Sequence, residues 1–277
     1  MMRVAVLGPE GTFSENAARL WLRGASFQLK YYDSISDVFD GVLRGDVDYG
    51  VVPIENSLEG SVGETLDLLS KEPVRIVAEV LVPIRICLLA RGELSDVKII
   101  MSHPHALAQC REFLRSLRGK VEVRATGSTA HAAKLAEEFK EVAALASEDS
   151  ASKYNLKVLA RDVQDRNSVT RFVVIARAEG DAEVDSEPTG NDKTSIILYL
   201  KDRPGALYEV LGEFAKRKIN LTKIESRPSK RALGDYMFHI DCEGHVKDER
   251  VREALLRISE KAEMLKILGS YPKAEAN

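Results

Sequence analysis

The chain has 277 residues, 44% of them hydrophobic and 30% charged, with a formal net charge of −3. That length exceeds what one hydrophobic core ordinarily organises, so two or more domains are expected, and the composition excludes wholesale disorder. The slight acidic excess, with Lys and Arg spread along the chain, argues against a nucleic-acid protein.

No apolar run reaches the roughly 20 residues of a membrane helix. Met1-Met2-Arg3 passes directly into a strand-like Val4-Ala5-Val6-Leu7 instead of a secretory leader, so a cytoplasmic location without a membrane partner is expected. Cys87, Cys110 and Cys242 lie far apart in no disulfide or zinc pattern and read as buried thiols.

The first strand, 3–7, runs into the turn Gly8-Pro9-Glu10-Gly11. Thr12-Phe13-Ser14-Glu15 then has the form of a capping box opening a helix through 22, whose free N–H groups make an anion site. Asp33 follows at the distance of a ribose-binding acid, but Glu10 and Ser14 stand where a dinucleotide fingerprint needs glycine, which counts against a dehydrogenase. A helix over 34–43 and a strand over 49–54 follow. Glu55-Asn56-Ser57 sits at that strand's C-terminal end, where open α/β sheets place ligand loops. Ser61 to Glu64 is a second capping box, for a helix through 69.

Strands are expected over 76–81, 84–90 and 97–101. Ser102-His103-Pro104 then begins a helix on which Ser102, His105 and Gln109 share a face. His103 and His105 lack a third ligand at useful spacing, so no metal is expected. A strand over 121–123 leads to Gly127-Ser128-Thr129-Ala130-His131, a third hydroxyl-bearing helix start, and then come strand 142–145, helix 147–154 and strand 156–159.

Asn167-Ser168-Val169-Thr170-Arg171-Phe172 enters the apolar run 173–176 and reads as a buried strand. There Arg171 needs a carboxylate, from the protein or from a ligand, and Thr170 offers a hydroxyl to a developing oxygen anion. Alternating strands and helices give an α/β domain with mainly parallel sheets over 1–179, in two lobes (about 1–76 with 165–179, and about 77–164). A polar linker is expected over 180–193. Beyond it the order βαββαβ over 194–277 is the ferredoxin-like unit, whose open sheet edges suit dimerisation.

Taken in order, Gly8 to Ser14, Pro53-Ile54-Glu55-Asn56-Ser57, Ser102-His103-Pro104 with Gln109-Cys110, Gly127 to Ala130 and Thr170-Arg171-Phe172 make the chain resemble the monofunctional prephenate dehydratases. Gly205-Ala206-Leu207 and Glu225-Ser226-Arg227-Pro228 make its C-terminal part resemble a phenylalanine-sensing ACT domain. The resemblance implies a two-lobed, periplasmic-binding-protein-like catalytic domain that converts prephenate to phenylpyruvate, water and carbon dioxide without a cofactor, in phenylalanine biosynthesis. It assigns catalysis to Thr170, supported by Asn56 and Gln109. Substrate contact falls to Thr12, Phe13, Ser102, Ser128, Thr129, Arg171 and Phe172. It places L-phenylalanine as effector near Gly205, Ala206, Leu207, Asn220, Leu221, Glu225, Ser226, Arg227 and Pro228, in a homodimer through the ACT domains, with a tetramer open as an alternative. The chain departs from the family at Ser168, commonly Asn, and at His105, commonly Gln. A non-catalytic amino-acid sensor of the same two-lobed shape is the competing class, and Thr170 with Arg171 and the polar cleft residues separates the two.

Overall fold

The structure is a computed structural model that describes residues 1–178, 187–229 and 236–275. The first lobe holds β1 (Met2–Leu7), α1 (Phe13–Trp21), β2 (Phe27–Tyr32), α2 (Ile35–Leu43), β3 (Tyr49–Asn56), the short β4 (Gly60–Ser61), α3 (Gly63–Lys71) and β5 (Val74–Ile84). The second holds β6 (Cys87–Ala90), a 3-10 turn at Leu94–Asp96, β7 (Ile99–Ser102), α4 (Pro104–Gln109), α5 (Arg111–Ser116), β8 (Glu122–Ala125), α6 (Thr129–Glu138), β9 (Val142–Ala146), α7 (Glu148–Lys153) and β10 (Lys157–Ala160). The chain returns to the first sheet as β11 (Ser168–Arg177). It ends in β12 (Asp192–Tyr199), α8 (Ala206–Lys216), β13 (Leu221–Pro228), β14 (Tyr236–Glu243), α9 (Glu249–Ser259) and β15 (Met264–Pro272).

The three sheets have the orders β2-β1-β3-β11-β5 with β4 beside β3, β10-β6-β9-β7-β8, and β13-β14-β12-β15. This is a two-lobed α/β domain followed by the expected βαββαβ unit. The lobe sheets are mixed instead of mainly parallel: β1 runs parallel to β2 and β3, and β7 to β8 and β9, while β5, β6, β10 and β11, which flank the two crossings between lobes, pair antiparallel. The strands expected over 76–81 and 84–90 are β5 and β6, with the break displaced to 85–86, and β5 pairs with β11 from Val74 to Ile84, so the first lobe extends past 76 before the chain crosses. Pro83 is tolerated because β5 is an edge strand. The alternating edge strand β2 escaped the sequence, and the helix expected from 102 breaks at Cys110 into α4 and α5.

Strand β11 is buried almost throughout, and its period of two feeds two cores. Phe172 and Val174 join residues of both lobes, including Leu88, Ile100 and Leu145. Val173 and Ile175 join Ile197, Tyr199, Leu268 and Tyr271 of the C-terminal domain. That domain lies close against the first lobe: a Cβ at Gly269, whose φ is +153°, would come within 2.1 Å of the Ile76 carbonyl oxygen. Lys193, expected in the linker, is instead buried in β12 and donates to both carboxylate oxygens of Glu79 at 2.9 and 2.8 Å. Residues 180–186 of the expected linker lie outside the described residues.

Candidate active site

A cleft of about 580 Å³ opens between the lobes. Its floor is the β3–β11 pair, in which Thr170 stands opposite Asn56. The Asn56 carbonyl Oδ1 accepts from the backbone N–H groups of Leu58 and Glu59 at 2.9 and 3.2 Å, which fixes the amide so that Nδ2 donates to Thr170 Oγ1 at 2.9 Å. With that oxygen already accepting, the Thr170 hydroxyl proton is left to be donated elsewhere, and the side chain lines the cleft.

Two long helices begin at the cleft wall. Thr12 caps α1, accepting from Glu15 N–H at 3.3 Å while donating to Leu7 O at 2.7 Å. Ser128 caps α6, accepting from His131 N–H at 3.0 Å. The first-turn N–H groups of each helix have no intrahelical acceptor and carry the positive end of the dipole, so both favour an anion. Phe13, Thr129 and Phe172 line the same space. The lobes are tied behind it: Ser150 Oγ donates to Gly11 O at 3.0 Å, and Lys153 of α7 pairs with Glu15, which also accepts from Gly11 N–H and Arg19. Burial raises the Glu15 pKa, but these donors outweigh it and hold the carboxyl below its ordinary range.

Across the mouth, Glu59 of the first lobe pairs with His105 and accepts from Gln109 Nε2 at 2.7 Å, both on α4. His103 stacks on His105 with ring centres 5.0 Å apart. Burial and then the neighbouring His105 hold the His103 imidazole below its usual pKa, against the pull of Glu59. The two histidines thus act at the cleft mouth with Glu59, and among the described residues no cluster of three or more His, Cys, Asp or Glu is arranged for a metal ion. Among the described residues, the titratable groups lining the cleft are Asp33, Glu59, His103 and His105, with no Lys or Arg.

Two expected substrate ligands are placed elsewhere. Ser102 is fully buried and donates to Leu145 O at 2.6 Å, a contact between β7 and β9. Arg171 points away from the cleft because β11 alternates: its guanidinium donates to Glu79 at 2.6 Å, to Asp241 of the C-terminal domain at 2.6 Å and to Tyr271 Oη at 2.9 Å. Burial opposes its charge, yet Tyr271, Asp241 and Glu79 together raise its pKa. The carboxylate that Arg171 needs therefore comes from the protein. Glu59 and His103 escaped the sequence as cleft residues, and Ser61, expected to open α3 with a capping box, lines the cleft instead, the N-cap of α3 being Val62 with no side-chain bond.

In the C-terminal domain, Gly205 caps α8 at φ +84°, which favours glycine. Ala206 and Leu207 line a pocket of about 110 Å³ with Arg203, Tyr236 and Phe238. Glu225 and Arg227, expected at the effector, face the catalytic lobe instead: Glu225 accepts from Ser61, and Arg227 donates to Asp67 at 3.0 Å. Asn220 accepts the Glu243 N–H through its carbonyl, while Leu221, Ser226 and Pro228 belong to β13.

The family model for prephenate dehydratase matches residues 4–180, and that for the ACT domain matches 194–260. The chain is 46% identical over 275 residues to the bifunctional chorismate mutase/prephenate dehydratase of Aquifex aeolicus (strain VF5), covering 99% of this chain and 74% of that one. It is 41% identical to the prephenate dehydratase of Amycolatopsis methanolica, covering 99% and 90%. Among solved structures, prephenate dehydratase in complex with L-Phe from Arthrobacter aurescens superposes with a TM-score of 0.87 at 38% identity, covering 98% and 90%. A structure described as GqqA, a novel type of quorum quenching acylase, superposes at 0.88 with 30% identity, covering 98% of each chain.

Proposed function

The chain belongs to the prephenate dehydratase family, and on that premise we propose that the cleft turns prephenate into phenylpyruvate, carbon dioxide and water with Thr170 meeting the departing hydroxyl. The observation that carries this assignment is the Asn56 Nδ2 donation to Thr170 Oγ1, which leaves the threonine proton for the substrate.

Prephenate is a dianion whose ring bears a carboxylate at one carbon and a hydroxyl at the opposite one. The bond to the carboxylate carbon breaks, its electron pair moves into the ring, and the opposite C–O bond breaks to give an aromatic product. Carbon dioxide leaves neutral, and the departing hydroxide takes up one solvent-derived proton to leave as water. Thr170 donates a hydrogen bond to that oxygen as negative charge develops on it, and threonine is too weak an acid to do more than orient and stabilise. A cleft lined, among the described residues, by Asp33 and Glu59 without Lys or Arg suits a reaction that discharges a carboxylate, because a cation there would hold the ground state more strongly than the transition state. Phe13 and Phe172 supply apolar walls for the carboxylate that is lost. The side-chain carboxylate, which survives, is assigned to the helix starts at Thr12 and Ser128, with Thr129 beside them.

An acylase like the one named for a structural neighbour would need an activated nucleophile, whereas the partner of Thr170 is an amide and not a base. We also assign the C-terminal domain to L-phenylalanine control, with the effector at the pocket beside Gly205, Ala206 and Leu207 and a homodimer joined through the exposed edge strand β13. Three buried free cysteines suit the reducing cytoplasm, and no described helix is long and apolar enough to cross a membrane. Phenylpyruvate formation from prephenate by the purified protein in cofactor-free buffer tests the activity, and its titration with L-phenylalanine beside sedimentation tests the control.

A further inference from the structure

Resting on the dehydratase assignment, we propose that Lys223, in the regulatory sheet, is a positioning residue of the active site. Loop 57–59, which fixes the Asn56 amide, springs from a hairpin whose base is the Glu55–Ser61 pair of β3 and β4. Lys223 grips both sides of that base. Its Nζ lies 3.4 Å from Glu55 Oε1 and donates to Ser61 Oγ, and it is also 3.3 Å from Glu225, which accepts from the same serine. The Lys223 side chain is only 6% exposed, so these partners stand in for water around the ammonium.

The grip follows from strand geometry. Residues 223, 225 and 227 share the face of β13 turned to the catalytic lobe, while 222, 224, 226 and 228 are exposed. Arg227, on the same face, holds Asp67 of α3 at 3.0 Å. Glu55 is flanked by a second cation, Arg171, at 3.7 Å. Its position is therefore set from both strands that adjoin it in charge, and Asn56 is the next residue. The Asn56–Thr170 hydrogen bond is 2.9 Å long, and a displacement of the hairpin base of roughly 1 Å is enough to break such a contact. Lys223 thereby makes turnover depend on where the regulatory sheet sits, and an effector that shifts β13 acts on kcat before it acts on substrate affinity.

The test uses the full-length protein with prephenate as substrate and L-phenylalanine as the added ligand. Lys223→Met is expected to lower kcat by about tenfold or more with KM changed by less than about threefold. Its L-phenylalanine binding by calorimetry should persist while the response of kcat to that ligand is lost, and Lys223→Arg should restore much of the rate. If Lys223→Met does not fold, Lys223→Met/Glu225→Gln removes the same grip with the charge balance kept, and the same kcat and KM split is expected. Wild-type kcat in either folded variant overturns the assignment. A parent protein that forms no phenylpyruvate defeats the dehydratase assignment instead, so the two failures are told apart.

Discussion

Thr170 and Arg171 are consecutive residues of β11 whose side chains serve different domains: the Thr170 hydroxyl accepts from Asn56 in the cleft, and the Arg171 guanidinium donates to Asp241 of the C-terminal sheet. Strand alternation alone produces this division. The residue proposed to meet substrate is thereby one peptide bond from a buried ionic cluster that joins the C-terminal domain to the catalytic one.

Reversing one hydrogen bond tests the role of Asn56. In Asn56→Asp the carboxylate still accepts from the Leu58 and Glu59 N–H groups, but toward Thr170 it accepts where the amide donated, and so takes the threonine proton from the substrate. Steady-state kinetics should show kcat lower by about 100-fold, with KM within a few-fold of the parent. An unchanged kcat would refute this use of the amide.

Arg171→Met leaves Glu79 and Asp241 without their shared guanidinium, in a site where Arg171 is 7% exposed. Removing one partner of a buried ion pair costs about 3–5 kcal/mol, so the urea midpoint should fall sharply. The KM of the protein that remains folded should stay within about threefold of the parent. A large rise in KM with an unchanged midpoint would return Arg171 to the substrate.

His239 supplies a pH dependence. Burial between the regulatory sheet and the first lobe pulls its pKa down to about 4, with Asp241 and Glu225 opposing that shift and Lys223 and Arg227 adding to it. The unfolded chain binds this proton near an ordinary pKa of about 6.5, so between about 6.5 and 4 the unfolded state holds more protons and stability falls as the pH falls. The full effect is on the order of 3 kcal/mol and is complete below the lower value. Unfolding free energies at pH 7.5 and 4.5 should differ by most of that amount, about 2.5 kcal/mol, more in the parent than in His239→Leu. Equal differences would show that His239 titrates no differently when folded.

Much of this was legible in the residues. The helix starts at Thr12 and Ser128, the Asn56 loop and the Thr170 strand follow from capping and strand patterns, and all four reach one cleft. Arg171 was legible as a charge in need of a carboxylate, but not as to whose, because strand parity has no direction until Val173 and Ile175 are seen to face Ile197 and Tyr271. Ser102 ends β7, one residue before the cap of α4, so the helix-face pattern does not reach it and its hydroxyl is spent on Leu145 O. Lys193 reads as linker among polar neighbours; its burial depends on Glu79, 114 residues away. Lys223 likewise has the alternation of an edge strand, and only tertiary placement sets it on Glu55 and Ser61.

The most direct measurement compares prephenate turnover by the parent protein with that by Thr170→Ala and Thr170→Ser. Removing the hydroxyl should lower kcat by about 10²–10³-fold while KM changes little, and serine, which restores the donor, should recover part of the loss. A Thr170→Ala enzyme that keeps its kcat, or loses only affinity, would contradict the account of the cleft.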